Sequence, residues 1–150
     1  MEGAKNRYKM RKFAFSLSVF LPVFVMAFQS AYAQKPYTDL VPKQFNRILQ
    51  TNPRAMAIDT RMLTKYERER IPGAKPAPYS EILEALTDTL PPDKPLLVYC
   101  GYDERSPTVC RMLAREMGFK NVFRLKGGLR RWKKQNLPLD TLSIETGLNH

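Results

Sequence analysis

A chain of 150 residues, 43% of them hydrophobic, has room for one cored domain, or one domain and a segment outside it, and is not the composition of a disordered polymer. Two cysteines and one histidine argue against a disulfide-stapled mini-protein and a Cys/His structural zinc site, and because the histidine is the terminal His150, a Ser–His or Cys–His catalytic pair has no base unless the tail folds back. The net charge is +11, of which residues 34–150 carry +7 in dispersed pairs such as Arg68-Glu69, Arg115-Glu116 and Lys133-Lys134, with no aromatic-interleaved basic stripe of the kind that would suggest nucleic acid.

Residues 1–33 read as an address. Five basic residues, the last of them Lys12, precede an apolar run from Phe13 to Phe28, and Ala31-Tyr32-Ala33 follows with small residues two apart. This is the three-part pattern of a secretory signal peptide, with cleavage expected between Ala33 and Gln34. The run of 16 residues is short of the roughly 20 that cross a bilayer as a helix, which leaves an uncleaved anchor as the alternative. Arg11-Lys12 is not a twin-arginine pair, and so strongly basic a start suggests a bacterial export signal and a periplasmic destination. No stable membrane insertion is expected after cleavage.

Residues 34–40 read as a short polar linker. A domain is expected over 41–138 and a C-terminal tail over 139–150. Within the domain, residues 41–49 should form a short helix: Pro42 suits its first turn, and Phe45, Ile48 and Leu49 fall on one face. Asn52-Pro53 stops it, and residues 55–59 read as a strand ending in Asp59. Residues 65–70 are a charged helical turn or loop, followed by the turn Ile71-Pro72-Gly73-Ala74. Ser80 can cap a helix that carries Ile82, Leu83 and Leu86. After the break at Pro91-Pro92-Asp93-Lys94-Pro95, the apolar run Leu96-Leu97-Val98-Tyr99 has the look of a strand buried on both faces. A helix with Ser106 as N-cap, Pro107 in its first turn and a stripe of Val109, Met112, Leu113 and Met117 should close at Gly118. Residues 121–125 are a further strand, and Gly127-Gly128 opens a last helix with Leu129 and Trp132. Alternating strands and helices predict an α/β fold, a central, mainly parallel β-sheet flanked by helices.

Chemistry in such sheets gathers at the carboxyl ends of strands, and Cys100 stands at one of them. The following helix would turn its amide end toward this position, and Arg105 would add positive charge, so both would favour a reactive thiolate without a histidine. A buried structural cysteine is the plain alternative.

The heptapeptide Cys100-Gly101-Tyr102-Asp103-Glu104-Arg105-Ser106 resembles the active-site loop of rhodanese-like domains, in which Arg stands five residues after Cys and Ser follows. Three further stretches resemble that family in the same order: Ile58-Asp59-Thr60-Arg61; Tyr66 through Arg70-Ile71-Pro72-Gly73-Ala74; and Gly118-Phe119-Lys120-Asn121-Val122 with Lys126-Gly127-Gly128 and Trp132. The resemblance implies a rhodanese-like fold and sulfurtransferase chemistry. Cys100 would be the nucleophile and persulfide carrier. Gly101, Tyr102, Asp103, Glu104 and Ser106 would contribute the substrate-binding loop, with Arg105 forming and charging it. Asp59 and Arg61 would support the site. No metal or organic cofactor is implied. The partners would be a small sulfur donor, a thiol or cyanide acceptor, and a protein persulfide as a further candidate, with no nucleic acid. Related phosphatases have a loop one residue longer, and the short loop favours sulfur transfer.

Two acids depart from the common pattern. Asp103 stands where many relatives have Gly, and Glu104 is beside it. Two carboxylates on the rim would repel thiosulfate, shifting the expected donor toward a neutral or protein-bound persulfide. Arg70 replaces the usual His, a change of surface packing. Cys110 reads as a packed small hydrophobe too distant for a disulfide with Cys100. Gly127-Gly128 lacks the Lys-Ser/Thr of a phosphate loop, and Trp132 reads as packing. A non-catalytic binding or sulfur-relay module and a redox role for Cys100 and Cys110 are the competing readings.

Overall fold

A computed structural model describes residues 35–141. The export segment over 1–33 and the tail beyond residue 141 lie outside the described residues. No helix among the described residues is long and apolar enough to cross a membrane.

The elements run β1 (Thr38–Leu40), α1 (Pro42–Thr51), β2 (Met56–Asp59), α2 (Leu63–Arg68), β3 (Glu69–Arg70), β4 (Lys75–Pro76), α3 (Ser80–Thr87), β5 (Leu96–Tyr99), α4 (Ser106–Arg111), β6 (Val122–Leu125), α5 (Gly128–Lys134) and β7 (Asp140–Thr141). α4 continues as a π-helical turn over Met112–Glu116, and Gly118 at φ +76° ends it. Five strands form one sheet in the order β1-β6-β5-β2-β4. Every pairing in it is parallel, with Asp59 opposite Tyr99 and Val98 opposite Arg124.

Strand periodicity divides the core in two. Leu97 and Tyr99 of β5 point to one face, where Phe45 of α1 and Leu129 and Trp132 of α5 cover them. Leu96 and Val98 point to the other, against Leu83 of α3 and Cys110 and Leu113 of α4. All four residues of β5 are buried, as the unbroken apolar run requires of a strand covered on both sides. Trp132 is fully buried, packs edge-on to Phe45 at 6.0 Å and donates its indole N–H to Pro138 O.

Four local expectations change. Residues 38–40, read as linker, are the edge strand β1, paired with β6 from Thr38↔Phe123 to Leu40↔Leu125. Part of the expected tail, Asp140–Thr141, pairs antiparallel with Glu69–Arg70. Ser80 does not cap α3: Tyr79 is the cap residue and no side chain bonds there. Ser106 is likewise the first residue of α4, with Arg105 in the cap position. Its hydroxyl is used elsewhere.

Candidate active site

β5 ends at Tyr99, and the chain then turns through residues 100–105 before entering α4. Neighbouring β2 ends alongside, where Thr60 donates both its N–H and its hydroxyl to Tyr99 O, at 2.9 and 3.1 Å. The first amides of α5 hold the turn from the other side. Leu129 N–H donates to Cys100 O at 2.8 Å and Arg130 N–H to Gly101 O at 3.0 Å. Such close approach needs glycine at 128, where φ is +57° and a Cβ would lie against Tyr102 O and within 2.7 Å of Cys100 O. The sequence shows Gly127-Gly128 as a helix opening, but its partner surface, 27 residues upstream, is not legible there.

Cys100 is 0% exposed, yet it belongs to neither apolar cluster. Its Sγ lies 3.3 Å from Ser106 Oγ and 3.7 Å from Glu104 Oε2. Of these two neighbours, Ser106 is buried and Glu104 is exposed. Glu104 folds into the turn: Oε2 accepts the Tyr102 N–H at 3.0 Å, and Oε1 lies over Gly101, where a Cβ would be 3.3 Å from it.

Asp103 faces the other way. Its Oδ1 accepts from Arg124 Nη1 at 3.0 Å, and both its carboxylate oxygens accept the Gly127 N–H, at 3.0 and 3.1 Å. Arg124 is buried on β6 and also donates to Asp39 on β1 at 2.6 Å. Burial opposes its charge, but the two carboxylates hold its pKa above the ordinary guanidinium value. The two rim acids expected from the sequence are therefore one neutralised latch and one carboxylate turned toward the sulfur.

Arg105 donates to Pro78 O through Nη2, which ties the far side of the turn to the segment before α3. Asp59 and Arg61 form a buried fork, with Arg61 Nη2–Oδ2 at 2.6 Å and Nε at 3.0 Å from both carboxylate oxygens. Arg61 also reaches Glu69 O at 2.6 Å and lies over the Tyr99 ring at 5.9 Å. Burial works against this charge too, and the hydrogen bond and charge of Asp59 together with the smaller pulls of Tyr99 and Glu69 more than offset it, leaving the Arg61 pKa raised. The fork fixes the end of β2 beside the turn. Cys110 sits in the apolar cluster between the sheet and α4, and burial pushes its thiol pKa up to about 12. Both cysteines are free. Arg70 lies over the Tyr66 ring at 5.1 Å.

Two concavities flank the turn and share Tyr102 and Arg130. One, of about 370 Å³, is lined by Gly101, Arg61, Lys65 and Lys133 among others. The other, of about 450 Å³, is bordered by Arg131 and Lys134. Charges that look dispersed in the sequence thus gather on α5 beside Tyr102, which is 58% exposed and stacked by Arg130 at 5.5 Å. No cluster of metal-ligating side chains occurs among the described residues.

Residues 41–135 match the family model of the Rhodanese-like domain. The chain belongs to the rhodanese-like domain family. A thiosulfate sulfurtransferase GlpE of Haemophilus influenzae is 31% identical over 108 residues, 71% of this chain and 97% of the relative. The adenylyltransferase and sulfurtransferase UBA4 of Meyerozyma guilliermondii is 33% identical over 91 residues, which are 54% of this chain and only 21% of that longer protein. Among solved structures, the polysulfide-sulfur transferase homodimer of Wolinella succinogenes superposes with a TM-score of 0.62 at 26% identity, covering 83% of this chain and 93% of that one. The sheet and its helices are thus a rhodanese-like fold, and the relatives place this rhodanese-like domain in a sulfurtransferase family.

Proposed function

We propose that this rhodanese-like protein is a sulfurtransferase that carries sulfane sulfur as a persulfide on Cys100. The observation that supports it most is the position of the Cys100 sulfur, buried just past the carboxyl end of a central strand, outside both core clusters and with Ser106 Oγ and Glu104 Oε2 as polar neighbours. In the first half-reaction the Cys100 thiolate attacks the outer sulfur of a donor, thiosulfate or a persulfide. The new Sγ–S bond forms as the donor's S–S bond breaks, and sulfite or a thiolate leaves with the electron pair. In the second, a thiol or cyanide attacks the outer sulfur, and Cys100 is released as the leaving thiolate. Neither half-reaction changes the total oxidation state, and neither needs a metal or organic cofactor. Ser106 Oγ, 3.3 Å from Sγ, is placed to hydrogen-bond the sulfur in both states. Gly101 and Tyr102 would form the mouth, and Arg105, Asp59 and Arg61 would hold its walls. The leader over 1–33 would place this chemistry in the periplasm.

A second reading, a sulfur relay or binding module that takes its sulfur from a protein, is favoured by the basic concavities on either side of Tyr102. An acidic partner carrying a persulfide would meet Lys65, Arg130, Arg131 and Lys134 there. Mass spectrometry after donor treatment separates the cases. The transferase should gain one sulfur on Cys100 from a small donor and release it to a thiol. Loading only from a protein donor would favour the relay, and no loading of Cys100 from either would sink both.

A further inference from the structure

The Tyr102 amide of the turn is already occupied by an anion of the protein's own: the Glu104 carboxylate, with Oε2 at 3.0 Å from Tyr102 N and 3.7 Å from Cys100 Sγ. Gly101 has no side chain to displace it, and Asp103 is drawn off to Arg124 and Gly127, so a single unneutralised carboxylate faces the reacting sulfur. Arg105, the nearest cation in sequence, is bound to Pro78 O.

From this geometry, and resting on the transferase reading above, we propose that Glu104 is the specificity-determining residue of the site and selects hydropersulfides in their protonated form, R–S–S–H, over anionic donors. A carboxylate offers only acceptor oxygens. Near Cys100 it can take a hydrogen bond from a sulfur that carries a hydrogen, as the resting thiol does now. The outer sulfur of R–S–S–H has such a hydrogen. The outer sulfur of thiosulfate has none, and its negative charge would be brought against Glu104 and repelled. The transfer balances without a further reagent. Cys100, having lost its proton to water, attacks the outer sulfur of R–S–S–H, and the Sγ–S bond forms. The donor's S–S bond breaks, R–S⁻ leaves with the electron pair, and it takes a proton from water. The hydrogen of the transferred sulfur stays in place, so the product Cys100–S–S–H presents to Glu104 the hydrogen bond that the donor made.

The test compares the full chain with its Glu104→Gln and Glu104→Ala variants, each checked for folding by circular dichroism. Cysteine persulfide and thiosulfate serve as donors. The parent should prefer cysteine persulfide. In both variants kcat/KM for thiosulfate should rise and that for the persulfide fall, moving the ratio by about a hundredfold if one close charge is worth about tenfold in each direction. A readout without turnover accompanies it: alkylation of Cys100 by iodoacetate, an anion, against iodoacetamide, its neutral analogue. Losing the carboxylate should raise the iodoacetate-to-iodoacetamide rate ratio about tenfold, whereas a residue that merely braces the turn would change both rates alike. Sulfur loading with an unchanged donor ratio and an unchanged alkylation ratio overturns the role of Glu104 and leaves the transferase standing. No loading from any donor in any folded form overturns the transferase reading, and donor selection falls with it.

Discussion

The two cysteines of this chain are equally buried, both 0% exposed, and they are in opposite surroundings. Cys110 lies on α4 among Ile58, Leu83, Val98 and Leu113, where burial outweighs the pull of Arg124 and Arg111 and raises its pKa to about 12. Cys100 lies where β5 runs out of the sheet, with a hydroxyl and a carboxylate as its polar neighbours and a turn held by two α5 amides around it. Burial alone does not divide a structural thiol from a reactive one. What divides them is which groups the buried sulfur faces, and those are set by the end of a strand in one case and the side of a helix in the other.

The largest expected effect tests that contrast outright. Cys100→Ser should abolish sulfur loading, read as the loss of the single-sulfur adduct in the intact-mass spectrum. Cys110→Ala should keep the adduct and lose stability instead, by about 1 kcal/mol in urea denaturation, for the small cavity left between α4 and the sheet. Loading on Cys110, or persistence of the adduct in Cys100→Ser, would mean that the polar end of the strand does not single out the reactive thiol. Next in size is Gly128→Ala. Its methyl would drive into the carbonyls of Cys100 and Tyr102 at a backbone angle that L-residues rarely adopt. A loss of about 3 kcal/mol is expected in urea, and loading of Cys100 should fall as the turn is displaced, while Cys110, on the opposite face, remains unreactive.

The pH dependence sharpens the contrast from the side of Cys110. Its thiol ionises near 9.0 when unfolded and near 12 when folded, so between these values the folded state holds a proton that the unfolded state has lost. Its contribution to stability is therefore complete below pH 9 and declines as pH rises toward 12, at no more than about 1.4 kcal/mol per pH unit. Tyr99, its hydroxyl pKa also raised by burial, acts in the same direction at higher pH. The parent's lead of about 1 kcal/mol over Cys110→Ala in urea should hold below pH 9, vanish within about one pH unit above it and then reverse as the pH rises toward 12. Constant separation would mean that Cys110 ionises as an exposed thiol does.

Much of this arrangement is legible in the sequence, and the pattern of what is not has a physical cause. Leu96-Leu97-Val98-Tyr99 announces a strand covered on both faces because period and burial coincide over consecutive residues. β1 does not announce itself: Thr38 and Asp39 are polar, and the strand exists through its parallel pairing to residues 123–125, far along the chain. Ser106 has the residue type and position of a cap, but tertiary context turns its hydroxyl to Cys100, and Arg105 takes the cap position with no side-chain bond. Asp103 and Glu104 are adjacent and chemically alike, so sequence treats them as one acidic rim. Their roles separate only because Arg124 on β6 and the Gly127 amide stand on one side of the turn and Tyr102 N–H on the other.

The smallest expected effect follows from that separation. Asp103→Asn leaves a group that can still accept from Gly127 N–H but no longer neutralises Arg124, which keeps Asp39 at 2.6 Å. Because the Asp103 side chain is 46% exposed, solvent screens much of the lost attraction, and a cost of about 1 kcal/mol in urea is expected. The charge removed points away from the sulfur, so the iodoacetate-to-iodoacetamide ratio at Cys100 should stay within about twofold of the parent, where Glu104→Gln moves it about tenfold. Equal shifts from the two acids would mean that the rim acts as one diffuse negative field. Unequal shifts would locate the discrimination in the one carboxylate that turns inward.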